Sequence, residues 1–211
     1  MLDQVAKRLK QYRPWRLRAQ GMEAAVLVVM TDQVHDPEIV LTVRSHLLST
    51  HRGEVAFPGG KRDPEDADLL HTALREAEEE IGLSQDKVQI IGSLGQVVSK
   101  HQLQVTPWVG VIPSQLPLRP NPGELDKVFK VPVSFFLENE AQRMDSFIYE
   151  GRTHRISAWE YDGEIIWGLT AYILTEFLNV GFGAGLNIPP RPERLAGTVS
   201  DNVLNIIRKD C

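Results

Sequence analysis

The sequence predicts an α/β domain, and three patterns carry that prediction. Residues 22–30 (MEAAVLVVM) and 38–44 (EIVLTVR) are short, apolar and rich in branched side chains, as buried strands are, with polar His35, Asp36 and Pro37 as a turn between them. From residue 69 to 81 the rhythm changes. Apolar residues recur at Leu70, Ala73, Leu74, Ala77 and Ile81, the spacing of one helix face, and Gly82 supplies the stop. Further strand-like segments then return at 88–91, 96–98, 105–112 and 128–132. Strands on both sides of a helix fit an α/β or α+β domain, and nothing marks a second one.

The remaining elements follow from local chemistry. Asp66 or Asp68 suits the N-cap of the 69–81 helix. Residues 55–57 form a short strand that runs into Pro58-Gly59-Gly60, read as a turn. Residues 155–167 predict a hairpin turning at Asp162-Gly163, and residues 168–177 a second helix. Residues 182–194 hold Gly183, Gly185, Pro189, Pro190 and Pro192 and read as a loop; residues 196–209 are assigned a short terminal helix. The expected organisation is a basic helical segment over 1–21, the domain over 22–181 and a C-terminal loop with a short helix over 182–211. In the first segment Leu2, Val5 and Leu9 share a face, and Pro14 ends the helix.

Charge narrows the function. The 211 residues carry a net −5, and the window 59–83 holds eight acids against three bases, so it accounts for the whole imbalance. The acidity is one local feature, which argues against nucleic-acid binding by charge. No apolar run approaches the ~20 residues a membrane span requires. The single cysteine, Cys211, excludes an internal disulfide and fits a reducing compartment, so a cytoplasmic location is expected, with a mitochondrial one as the alternative for a basic N-terminus.

Glu76, Glu79 and Glu80 fall three and four residues apart and share one side of the helix, while Glu78 points away. A Glu-rich helix is ordinarily a solvated acidic face. Here, however, the acids occupy the last turn, where the helix dipole disfavours negative charge, and Glu76 repels Glu80. Each penalty is only ~0.3–1 kcal/mol, but both act in the same direction. Oxygen ligands gathered in this way suit Mg²⁺ or Mn²⁺.

The run Arg75-Glu76-Ala77-Glu78-Glu79-Glu80-Ile81-Gly82-Leu83, preceded by Gly60, resembles the Nudix box at every specified position of its second half. The first half departs from it: Asp66 stands for the usual glutamate, one residue further from Arg75. Leu41-Thr42-Val43-Arg44-Ser45, Gly53, Phe57-Pro58-Gly59-Gly60 and Lys61-Arg62-Asp63-Pro64 look like the coenzyme A pyrophosphatase branch of that family. So do Gln104-Val105-Thr106-Pro107 and Trp167-Gly168-Leu169-Thr170-Ala171, although Ser49 stands where the branch usually has arginine. The resemblance spans about residues 24–177.

The resemblance implies a mixed β-sheet sandwiched between helices and a pyrophosphatase using Mg²⁺ or Mn²⁺. Its implied metal site is Glu76, Glu79, Glu80 and Gly60, with Glu79, Arg75 and Glu124 as the catalytic set. Arg44, Lys61, Arg62 and Gly59 are the implied substrate contacts. On local grounds Glu124 reads more readily as a surface acid, whereas the basic residues read equally as solvated charges and the glycines as a tight turn. Trp108, Trp159 and Trp167 lie in strand patterns and read as core. The expected partner is a small nucleotide of the coenzyme A type, with neither nucleic acid nor membrane, and a homodimer is a candidate assembly.

Overall fold

A computed structural model describes residues 1–17, 21–48, 51–99, 102–139, 143–149 and 152–189, with backbone only for 143–149 and 152–154. Ser49, Cys211 and the helix expected over 196–209 lie outside the described residues.

Helix α1 (Leu2–Gln11) precedes β1 (Glu23–Thr31), β2 (Glu38–Arg44), β3 (Val55–Ala56) and β4 (Gly59–Lys61). Then come α2 (Leu69–Ile81), a 3₁₀ turn (Gln85–Lys87), β5 (Gln89–Ser93), β6 (Val97–Val98), β7 (Gln104–Ile112) and β8 (Leu125–Pro132). The chain continues through α3 (Val133–Glu138), β9 (Arg143–Tyr149), β10 (Arg152–Tyr161), β11 (Glu164–Ile166) and α4 (Gly168–Phe177), which runs into a π-helical turn at Leu178–Phe182.

Strands β1 to β8 form one mixed sheet in the order β3-β2-β1-β7-β5, with β4 paired to β1, β6 to β7 and β8 to β2. The β1–β7 pair is parallel and the others antiparallel. Strand β1 forks: Ala24–Val26 pair with β4, whereas Val29 and Met30 pair with β2. Its side chains alternate between two cores. Ala25, Leu27 and Val29 meet Ala73, Ala77 and Ile81 of α2, while Ala24, Val28 and Met30 join the core that holds residues of α1 and α4. The sheet is therefore sandwiched between helices, as expected. Strands β9 to β11 make a separate three-stranded sheet in which β10 and β11 form the expected hairpin.

Helix α2 spans the residues its apolar spacing predicts. Asp68 caps it by accepting from the His71 amide at 2.8 Å, and Gly82 ends it in the left-handed conformation, φ 66°. Helix α1 buries Val5 and Leu9 and stops at Gln11. Trp159 is core, edge-on to Phe136 at 5.4 Å between ring centroids, and Trp108 and Trp167 are half-buried.

One local reading is overturned. Gly59 and Gly60 are not a turn but strand β4, paired with Ala24–Val26. Two glycines carry no strand propensity. They are required because β4 lies too close to β1 and to the Glu76 side chain of α2 to carry side chains of its own: a Cβ at Gly59 would lie 2.3 Å from the Ala25 carbonyl oxygen. Sequence patterning also missed α3 and β9 and began β8 three residues late.

Candidate active site

Strand β4 lies across the last turns of α2, and the contact between them builds the site. The Gly59 amide donates to Glu80 Oε2 at 3.0 Å. At Gly60 the Glu76 carboxylate occupies the place of a side chain, since a Cβ there would meet Glu76 Oε1 at 2.3 Å. Both glycines thus let acidic side chains approach the backbone. From the end of β2, Arg44 brings Nη1 to 3.9 Å from Glu80 Oε1, and its buried Nε has no hydrogen-bond partner.

The three glutamates are not equivalent. Glu80 is 3% exposed and belongs to the buried face of α2. Glu76 is mostly buried, and the Glu79 side chain is 55% exposed. Arg75 Nη1 lies 3.1 Å from both Glu76 Oε1 and Glu79 Oε2, so these two carboxylates meet at one guanidinium, with Glu79 on its exposed side. Among the described residues, no three His, Cys, Asp or Glu side chains stand poised to hold a metal ion.

Electrostatics favours a cation nonetheless. Burial pushes the Glu80 carboxyl up to about 7, with Glu76 and Glu124 raising it further, against the Gly59 amide and Arg44. Burial also raises Glu76, opposed by Arg75 and reinforced by Glu79 and Glu124. Buried acids that repel one another beside two glycines form an oxygen donor set suited to a hard divalent ion. Glu76 and Glu80, with the backbone at Gly60, are the groups that fit it.

Glu124 is exposed, yet its charge is felt at both buried glutamates, so the fold returns the β7–β8 loop to the end of α2. Lys61 is exposed next to Gly60. Arg62 is engaged otherwise: it bridges to Glu23 Oε2 at 2.9 Å and donates to the carbonyls of Asp66 and Ala67. Its guanidinium thus closes the β4–α2 loop onto β1.

Asp66 proves central, a role its departure from the expected glutamate had concealed. It is 4% exposed and accepts from Arg75 Nε and Nη2, both at 3.0 Å. Thr72 Oγ1 and the Asp63 amide donate to it at 2.9 Å, and His71 Nδ1 lies at the same distance. Arg75 holds Asp66 far below the usual carboxylate range despite burial. The bidentate grip fixes the guanidinium, whose third nitrogen then orients Glu76 and Glu79.

A shallow depression lined by Gln33, Val34, His35, Asp36, Glu38 and Pro132 lies at the opposite end of β2 from Arg44. The converging charged groups, not that hollow, locate the chemistry.

A mixed sheet lies between helices, with a glycine strand laid over a glutamate-bearing helix end. The NUDIX domain model matches residues 21–150. The uncharacterized Nudix hydrolase NudL of Photorhabdus laumondii is 42% identical over 166 residues, covering 76% of this chain and 86% of the relative. "Nudix hydrolase 15, mitochondrial" of Arabidopsis thaliana is 40% identical over 172 residues, or 78% of this chain and 60% of that protein. A MutT/nudix family protein from Enterococcus faecalis shares the fold with a TM-score of 0.52 at 12% identity, over 98% of this chain and 79% of that one.

The chain belongs to the Nudix family. Relatives at 38–42% identity that are Nudix hydrolases support an enzyme, a Nudix pyrophosphatase. Nudix hydrolases as a family use divalent metal ions. Among the described residues, no helix is long and apolar enough to cross a membrane.

Proposed function

We propose that this protein hydrolyses the pyrophosphate bond of coenzyme A or its thioesters, releasing 3′,5′-ADP and a 4′-phosphopantetheine species, with Mg²⁺ or Mn²⁺ as cofactor. One observation carries the chemistry: Glu76 and Glu80 are buried against the glycine strand, where their mutual repulsion calls for a cation. A divalent ion held there would screen the substrate's charge, polarise a phosphoryl oxygen and lower the pKa of a bound water.

The chain's own groups then divide the work. Glu76 and Glu80 hold the ion with the Gly60 backbone. Arg75, anchored on Asp66, keeps Glu76 and Glu79 oriented. Glu79 and Glu124 are the exposed carboxylates that can take a proton from water. Arg44, with its side chain 29% exposed and its Nε unpartnered, and Lys61 beside Gly60 are the cations available to substrate phosphates. The partner is a small nucleotide, and the lone cysteine suits a reducing compartment such as the cytoplasm.

Coenzyme A rests on the branch-like motifs around Arg44, Gly53 and Gly60. Ser49, where that branch has arginine, supports a second reading: the same reaction on NADH, ADP-ribose or a damaged nucleoside triphosphate. A non-catalytic binding module would be expected to lack box carboxylates, and all are present here.

The test offers coenzyme A, ADP-ribose and NADH together with Mg²⁺ and identifies products by mass spectrometry. The expected result is 3′,5′-ADP with 4′-phosphopantetheine as the dominant pair. Products of ADP-ribose or NADH cleavage in their place would move the assignment to the second reading, and no cleavage of any of them would remove it.

A further inference from the structure

We propose that Asn121 is a positioning residue that ties Glu124 to the C-terminal end of the glutamate helix, so that the β7–β8 loop and α2 act as one unit in holding the cation. This rests on the reading of Glu76, Glu80 and Glu124 as one site.

The last carbonyls of a helix have no partner within it. In α2 two of them belong to Glu80 and Ile81, and the β7–β8 loop supplies both donors: the Asn121 amide to the Glu80 carbonyl at 2.8 Å and the Arg119 amide to that of Ile81 at 3.0 Å. The loop is thereby fastened to the residue whose side chain lies at the centre of the site. From there Asn121 builds the turn that delivers Glu124. Its carbonyl accepts from the Glu124 amide at 3.0 Å and the Leu125 amide at 2.9 Å, and its Oδ1 accepts from the Gly123 amide at 3.1 Å. A side-chain oxygen bonding the backbone two residues on is the local turn that asparagine favours. On the far side, the Ser45 amide donates to the Glu124 carbonyl at 2.8 Å, pinning the turn beside Arg44.

Glu124 is thus held at both ends of its own peptide units, although its carboxylate is exposed. Flanked by Pro120 and Pro122, the turn has few other conformations open to it.

A double-mutant cycle tests this, with Mn²⁺ binding followed by electron paramagnetic resonance and turnover measured on coenzyme A, ADP-ribose and NADH. Asn121→Ala keeps the main-chain bonds and removes the Oδ1 acceptor that shapes the turn, and it and Glu124→Gln are each expected to weaken Mn²⁺ binding by about 10-fold, the lower end of what supporting residues around a metal contribute; unchanged binding in Asn121→Ala would overturn the positioning role. Their combination should weaken it no further than Glu124→Gln alone, within about twofold. Asn121→Asp, which keeps the acceptor, should restore binding. Multiplicative losses in the double variant would overturn the coupling alone and leave the site intact. Wild-type affinity in Glu124→Gln would remove Glu124 from the site and the coupling with it, and absence of Mn²⁺ binding in the wild type would remove the site itself. Should Asn121→Ala fail to fold, Asn121→Ser, with a weaker hydroxyl acceptor, carries the same cycle.

Discussion

Glu80→Gln is expected to lower kcat by about three orders of magnitude or more, the scale of the several kcal/mol a metal ion supplies to charge stabilisation. It should not lower stability. Glutamine keeps the shape and an acceptor for the Gly59 amide but removes a charge that is buried among other acids. In the cation-free protein the sign can be worked out. An unfolded chain ionises this glutamate near 4.5, whereas the folded protein retains the proton up to about 7. The folded form therefore binds more protons between those values, and its stability falls as pH rises through that window. Glu80→Gln should flatten that part of the profile and match or exceed the wild type in thermal midpoint at pH 8 with chelator present. Activity lost with stability kept is the signature of a group retained for chemistry. A variant that turns over normally with Mg²⁺ would contradict this role.

Asp66→Asn should act in the opposite way. Asp66 is a buried carboxylate bound through two hydrogen bonds to Arg75, and its neutralisation leaves a largely buried guanidinium without its main partner. Breaking such a pair from one side costs roughly 3–5 kcal/mol. The pH dependence follows from the depressed pKa. Asp66 contributes stability above the ordinary carboxylate value of 3.8 and loses it as pH falls below that value toward its folded pKa. The variant should therefore have a lower urea midpoint at pH 7 and lose less on acidification below pH 4. Turnover should fall as well, because Arg75 is then free to swing away from Glu76 and Glu79. Urea titrations at pH 7 and pH 3 check both parts, and equal midpoints for variant and wild type at pH 7 would contradict the anchoring role.

These two residues also show how far the sequence could be read. The glutamate helix was legible because everything that defines it is local: apolar spacing, a capping aspartate, a terminating glycine and three acids in the last turn. The sheet was legible where strands are apolar, as in β1, β2 and β7. Strand β4 was not, because it is made of residues chosen for lacking a side chain, and only the closeness of Ala25 and Glu76 shows why. Asp66 read as a candidate cap because its partners, Thr72 and Arg75, meet it only once the loop from Asp63 has folded back. The ion pair of Arg62 with Glu23 leaves no mark in the sequence because it joins strands far apart in the chain. Glu124 could be placed by resemblance alone; what brings it to α2 is a pair of backbone hydrogen bonds from Arg119 and Asn121, and backbone amides leave no mark in a sequence. In physical terms, local periodicity was readable, whereas contacts made by glycines and main-chain groups across the fold were not.

If the end of α2, roofed by the glycine strand, is a place for a divalent cation, an ion supplied to the protein should settle there. Anomalous diffraction from crystals soaked in Mn²⁺ would locate it. One or more peaks are expected, bounded by the carboxylates of Glu76 and Glu80 and the backbone at Gly60. Manganese bound only elsewhere, with those two carboxylates still packed against β4 as they stand without it, would contradict it.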